Sequence, residues 1–179
     1  MQLLALDTFG GLPAHPLVVH IPVVLIPVAF ALALLSFWKP VRTGALWAAT
    51  GSASVGLIGA ALAGGSGESL QNAVDRTDLV RDHAQAGEIV APFASLFLVV
   101  LLCALVVHLS KTDSVPFLKS VSIAKKAGAG AMTALLALSS VVGVAASWAT
   151  YAAGHTGAKS AWHKVDLSRV TEGEEGDDD

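Results

Sequence analysis

The sequence predicts an all-α fold, a four-helix transmembrane bundle with short cytoplasmic loops and a disordered acidic C-terminal tail. The chain is 54% hydrophobic and only 14% charged over its 179 residues, so it is far more apolar than a soluble domain of this size. Its apolar residues form four long runs that contain no Lys, Arg or Asp. Because unpaired backbone groups are costly in lipid, such runs are expected to be helices.

The four predicted spans are residues 16–38, 43–64, 84–109 and 127–153. Each is long enough to cross a hydrocarbon core of about 30 Å at a rise of about 1.5 Å per residue. The first run follows no basic residue and precedes no cleavage site, so it is expected to remain as an anchor rather than act as a cleaved signal peptide. The predicted domain covers residues 12–158, between an N-terminal extension (1–11) and a polar acidic tail (159–179).

The basic residues predict the orientation of the bundle. The two short connections hold six of them: Lys39, Arg42, Lys111, Lys119, Lys125 and Lys126. By the positive-inside rule these loops face the cytoplasm, and both termini face out.

Small residues recur at a spacing of four in the second and fourth spans: Gly56, Ala60 and Gly64, then Ser139, Gly143 and Ser147. Rows of this kind allow helix backbones to approach closely in a bilayer. The alternative is a flat groove that admits a planar cofactor. The sequence does not decide between the two.

The histidines supply the main functional signal. His15 and His20 open the first span, His83 opens the third and His155 closes the fourth, so an even number of crossings brings all four to one face. His108 lies at the opposite face. Histidine is the commonest protein ligand for haem iron, copper and zinc, and ionisable groups at membrane depth usually mark functional sites. The four residues are therefore candidate cofactor or metal ligands.

The residues around His15 and His20 bear on whether both side chains can reach one ligand. Five residues separate His15 and His20, which would turn their side chains about 140° apart on a regular helix. Four prolines make that entry irregular, so the two could converge, or one could support the other: Pro13, Pro16, Pro22 and Pro27. Glu88, the one acid within a predicted span, is a further candidate metal ligand or histidine partner.

Glycine residues lie close in sequence to His83 and to His155. Gly87, four residues after His83, leaves the helix face beneath that histidine open, which suits a bulky cofactor. His155 lies within the run Gly154-His155-Thr156-Gly157, which predicts the end of the fourth helix, since glycine often ends helices.

These residues carry a resemblance to a bacterial membrane-protein family catalogued as domain of unknown function 2231. The resemblance covers residues 12–158 and rests on the run from Leu12 to Pro22, on Arg81-Asp82-His83-Ala84, and on Gly154-His155-Thr156-Gly157. It implies a four-helix membrane domain of a bacterial cytoplasmic membrane. It also implies an association with Rieske-type or other redox modules, without a settled activity.

Three functional hypotheses follow, and a fourth, proton-coupled transport, has little support because Glu88 is alone and the other spans hold no charged pathway. The first is an electron-transfer subunit in which two of the four histidines ligate a b-type haem near the outer surface. The second is a copper, zinc or iron ion held by the same imidazoles and Glu88 for metal handling at the outer face. The third is an accessory or assembly subunit without a cofactor.

The expected partners are the lipid bilayer and either a redox membrane complex or further copies of the chain. Enzymatic activity is expected at most as part of such a complex. The lone Cys103 excludes an intramolecular disulfide and a Cys-based iron–sulfur cluster. No hydrolase or nucleotide-binding motif is present, and no nucleic-acid role is indicated.

Overall fold

The computed structural model describes residues 8–112 and 128–164. Within these residues the chain forms a short hairpin and six α-helices: α1 (His15–Val18), α2 (His20–Leu35), α3 (Arg42–Gln71), α4 (Asp78–Glu88), α5 (Val90–Lys111) and α6 (Ala129–Trp162). The hairpin pairs β1 (Thr8–Phe9) with β2 (Leu12–Pro13). Gly10 and Gly11 turn it with φ values of 60° and 83°, which glycine adopts without strain. A 3₁₀ turn (Lys39–Val41) joins α2 to α3.

Four helical stretches of the described chain are long and apolar enough to cross a membrane, which confirms the predicted fold class. They are His15–Leu35, Lys39–Gln71, Asp78–Lys111 and Gly130–Trp162. The orientation of the bundle stays a prediction. Much of the predicted acidic tail and of the connection at 110–126 lies outside the described residues.

Hydropathy detects the apolar part of a helix and not its polar turns, so two helices extend beyond the predicted spans. The second predicted span ends at Gly64, and α3 continues to Gln71. The glycine run at 154–157 does not end the fourth helix, since α6 continues to Trp162. At about 1.5 Å per residue both helices are longer than a hydrocarbon core of about 30 Å, so their polar ends project beyond it.

Two prolines explain why the first and third spans are each divided. Pro22 has no N–H to donate to the carbonyl of Val18, and α1 ends at Val18. Pro92 likewise cannot donate to the carbonyl of Glu88, where α4 ends. His15 and His83 therefore lie on short helices that precede the long helices α2 and α5.

The long helices pack in a ring. Helix α2 contacts α3 and α6, and α5 also contacts α3 and α6. The short helix α1 packs on α3, and α4 packs on α6. The core between them is rich in alanine, with Ile26, Phe97 and Leu101 fully buried near its centre.

Glycine sets the closest helix contacts. A Cβ atom on Gly59 of α3 would lie 2.5 Å from Cγ2 of Ile21, and one on Gly143 of α6 would lie 2.6 Å from Cδ2 of Phe30. Both distances are shorter than a real contact allows. Gly56 and Gly143 of the predicted small-residue rows therefore serve helix packing, one of the two roles that the sequence left open, and Gly59 adds a close contact outside those rows.

We expect Gly59→Ala to lower the thermal stability of the detergent-solubilised protein by about 1–3 kcal/mol, the usual cost of overpacking. Gly51→Ala, also within α3, is the matched control, because a Cβ there meets nothing within 4 Å. Melting curves followed by circular dichroism compare the two variants. Equal melting temperatures would contradict the close contact of α2 with α3.

Candidate functional site

The structure brings two of the predicted histidines together at one end of the bundle. The Nε2 atoms of His15 and His83 lie 3.4 Å apart. The ring centroids are 5.7 Å apart and the ring planes are inclined by 69°. The centroid separation exceeds the Nε2 separation by about two ring radii, one for each ring. The two Nε2 atoms therefore point towards each other nearly in line.

Each imidazole is fixed from behind by a backbone carbonyl of a long helix. Nδ1 of His15 donates to the Ala63 carbonyl oxygen of α3 at 2.8 Å. Nδ1 of His83 donates to the Ala153 carbonyl oxygen of α6 at 3.0 Å, with the Thr156 hydroxyl oxygen at 3.4 Å as a second acceptor. A residue from each of the four spans thus takes part in the site.

The carbonyl acceptors determine the protonation of the rings. A carbonyl oxygen can only accept, so Nδ1 carries the proton in both histidines. In the neutral forms both Nε2 atoms then bear lone pairs, and these face each other. Two opposed lone pairs repel unless a cation or a shared proton lies between them. The arrangement is therefore chemically suited to bind a positive centre on the line between the two rings.

Two glycines make room for the rings. A Cβ on Gly67 of α3 would lie 2.9 Å from Cε1 and Nδ1 of His15. A Cβ on Gly157 of α6 would lie 2.9 Å from Cε1 of His83. Any side chain at either position would push its imidazole away from the carbonyl that holds it.

The remaining predicted site residues do not join this pair. His20 is exposed on α2, five residues after His15 and about 140° further round the helix, so it points away from the pair. His155 is exposed and stacks on Tyr151 of the same helix, with centroids 5.8 Å apart. Glu88 is exposed, while Arg81 pairs with Asp78 at 2.9 Å. In residues 8–112 and 128–164, no group of three or more His, Cys, Asp or Glu side chains could hold a metal ion.

His108 lies at the opposite end of the third span, as the sequence predicts. Its Nε2 atom is 2.8 Å from the hydroxyl oxygen of Thr43, near the start of α3. This contact is separate from the pair formed by His15 and His83.

Sequence reasoning missed several parts of the site. The acceptors at Ala63 and Ala153 are backbone atoms, which no side-chain pattern reveals. Gly67 lies beyond the predicted end of the second span, and Gly157 was assigned to a helix end rather than to a ring contact. A glycine can be recognised as the contact of a histidine ring only when it is known which helix faces that histidine.

With four helical stretches that can cross a membrane, the chain has the architecture of a multi-pass helical membrane protein. The family model described as "Predicted membrane protein (DUF2231)" matches residues 11–167. The chain therefore belongs to this family, as the resemblance indicated. No curated protein and no solved structure matches the chain significantly.

Two glycines of one helix provide a direct test of the ring contact. We expect Gly157→Ala to destabilise the protein by about 1–3 kcal/mol, since the new Cβ displaces the His83 ring. Gly154→Ala is the control, because the nearest atom to its Cβ, Cγ2 of Val23, is 4.0 Å away. Thermal melting in detergent should show a lower midpoint for Gly157→Ala and an unchanged midpoint for Gly154→Ala. An equal loss in both variants would show that helix α6 itself, and not the histidine contact, is sensitive.

Proposed function

We propose that this protein is a membrane electron-transfer subunit in which His15 and His83 would hold a b-type haem. The observation that carries the proposal is the in-line approach of the two Nε2 atoms, 3.4 Å apart, with each Nδ1 held by a carbonyl oxygen. A hydrogen bond from Nδ1 to a carbonyl is the common way to orient a metal-ligating histidine and to raise its basicity.

The number of ligands favours haem over an ion held by protein groups alone. A structural or catalytic zinc site takes three or four protein ligands. The described part of the chain offers no such group around the pair. A haem needs only one or two axial ligands from the protein, because its macrocycle supplies the others.

The spacing between the two Nε2 atoms is shorter than two metal–nitrogen bonds placed end to end. Two metal–nitrogen bonds of about 2.0 Å each, in line, would place the nitrogen atoms about 4 Å apart. The observed 3.4 Å is shorter by roughly half an ångström. His15 lies on α1, which packs on α3, and His83 lies on α4, which packs on α6, so widening the gap shifts one of these two contacts.

When bound, a haem supplies a one-electron carrier. The chain's own residues hold it: Ala63 and Ala153 fix the proton on Nδ1 of each ring, and Gly67 and Gly157 let the rings reach those carbonyls. The proposed site lies at the end of the bundle that the positive-inside rule assigns to the outer face of the membrane. A larger redox complex, or further copies of the chain, would accept or deliver the electron.

Optical spectra of purified protein test this proposal. After expression with a haem precursor, we expect a Soret band that shifts on reduction. His15→Ala and His83→Ala should bind little or no haem, because each removes one axial ligand. Gly157→Ala should weaken haem binding by roughly 10–100-fold, as loss of a supporting contact typically does.

The chain offers matched controls for this experiment. His20→Ala and His155→Ala remove exposed imidazoles at the same end of the bundle and should retain the Soret band. His108→Ala at the opposite end should retain it too. A Soret band that survives in both His15→Ala and His83→Ala would overturn the assignment of the ligands, and a wild-type protein without one would overturn the proposal.

A single metal ion is the second candidate, and the short Nε2 separation favours it. Two opposed imidazoles 3.4 Å apart suit a small cation more closely than a macrocycle. Imidazole is a good ligand for copper, iron and zinc. Metal analysis beside the spectra separates the two: stoichiometric copper, zinc or iron without a Soret band supports metal handling at this face. Neither metal nor haem would favour an accessory or assembly role.

A further inference from the structure

Positive charge collects at the end of the bundle opposite the histidine pair. Lys39 lies in the 3₁₀ turn between α2 and α3, Arg42 begins α3, and Lys111 ends α5. Among the residues that the structure describes, every Asp and Glu lies from Glu68 to Glu88, at the other end of the bundle. The three cations therefore have no acidic partner in the described chain, and their charge is open to an anion from outside the protein.

Backbone carbonyls position two of these cations. Nε of Arg42 donates to the Ser36 carbonyl oxygen at 2.8 Å, and Nη2 donates to that of Phe37 at 3.2 Å. Nζ of Lys111 donates to the Gly128 carbonyl oxygen at 3.3 Å. A carbonyl carries no net charge, so neither cation is neutralised. A guanidinium has five N–H donors and an ammonium three, so both groups keep donors for a further acceptor.

A hydrogen bond between α3 and α5 brings the two cations to one seam. Nε2 of His108 on α5 lies 2.8 Å from Oγ1 of Thr43 on α3. Arg42 directly precedes Thr43, and Lys111 lies about one helical turn after His108. A guanidinium and an ammonium thus flank the point at which the ends of α3 and α5 meet.

Two tryptophans place this seam at the level of the lipid headgroups. Trp38 and Trp47 precede and follow Arg42 in the sequence, and their side chains are 62% and 54% exposed. Tryptophan is enriched at the boundary between hydrocarbon and headgroups. Trp47 is four residues after Thr43, on the same face of α3. The seam therefore continues into a lipid-facing surface that begins at Trp47.

We infer that this seam binds the headgroup of an anionic phospholipid, whose phosphate accepts hydrogen bonds from Arg42 and Lys111. Charge-assisted bonds of this kind are strong, and basic pockets between membrane helices are typical sites for anionic headgroups. A phosphatidylcholine offers the same phosphate, but its choline cation would lie beside Lys39, Arg42 and Lys111 with no described acid to receive it. The site should therefore select a net negative charge. The inference is independent of the proposed function, since the histidine pair lies at the opposite end.

Fluorescence quenching by brominated lipids measures this selectivity. Replacing Trp38, Trp148 and Trp162 by phenylalanine leaves Trp47 as the only tryptophan of the four. The full chain is reconstituted in phosphatidylcholine vesicles that contain a rising fraction of brominated phosphatidylglycerol or, in parallel, of brominated phosphatidylcholine. We expect phosphatidylglycerol to bind beside Trp47 roughly fivefold more tightly than phosphatidylcholine. The preference should shrink at an ionic strength of about 0.5 M, where exposed charges are screened.

Lys111→Gln is the decisive variant. It removes an exposed charge and leaves the bonds of Arg42 to Ser36 and Phe37 in place, so the melting temperature should not change. The preference for phosphatidylglycerol should fall by roughly twofold or more, and Arg42→Gln combined with Lys111→Gln should abolish it.

Matched controls lie at the other end of the bundle. Lys159→Gln and Arg76→Gln make the same changes of charge on exposed side chains, and should retain the full preference at Trp47. Inorganic phosphate added to the vesicles should also leave it unchanged, because it lacks the acyl chains that hold a headgroup at the seam.

Three results would overturn the inference. Equal quenching by the two brominated lipids in the parent would mean that these cations attract no particular lipid. A preference that persists in Lys111→Gln and in the double variant would place the anionic lipid elsewhere on the bundle. Loss of the preference on addition of inorganic phosphate at constant ionic strength would identify free phosphate, and not a lipid, as the ligand.

Discussion

The need to satisfy every backbone hydrogen bond in lipid is the constraint on which the rest of the structure depends. In lipid, backbone hydrogen bonds must be satisfied within the chain, so a span is ordinarily one unbroken helix. Pro22 and Pro92 each remove one such bond, and the helices break at Val19 and Ile89. Val19 and Ile89 nevertheless keep right-handed helical dihedral angles, so each span remains one helical stretch that lacks one backbone bond. His15 and His83 lie N-terminal to these positions, and carbonyls of the neighbouring helices hold both rings.

Backbone carbonyls hold the two imidazoles in place, a role that charged side chains take in many soluble proteins. The acceptors for both imidazoles are carbonyls of α3 and α6, at Ala63 and Ala153. A carboxylate in the same place would carry a charge into a region of low dielectric, at considerable cost. A carbonyl holds the ring without that cost, provided that the ring comes close to the helix. Glycine at positions 67 and 157 makes that approach sterically permissible.

The sequence predicted the number of spans, the fold class and the end of the bundle at which the histidines lie, because hydropathy and an even count of crossings are enough for these. It could not choose a pair among His15, His20, His83 and His155. That choice depends on the direction of each side chain around its helix and on which carbonyl each ring meets. Pro22 was among the prolines that predicted an irregular entry to the first span, whereas the interruption of the third span at Pro92 was not predicted. The polar ends of α3 and α6 were missed because the apolar signal fades there while the helix continues.

The same geometry links the site to the stability of the whole bundle. His15 joins the first span to the second through Ala63, and His83 joins the third to the fourth through Ala153. At this end the two Nε2 atoms approach each other across the boundary between these halves, and in the neutral forms this approach is repulsive. A cation centred between them would turn that repulsion into a bond that spans all four helices. Since a ligand that binds only the folded state stabilises it by mass action, occupancy of the site and integrity of this end of the bundle should rise and fall together.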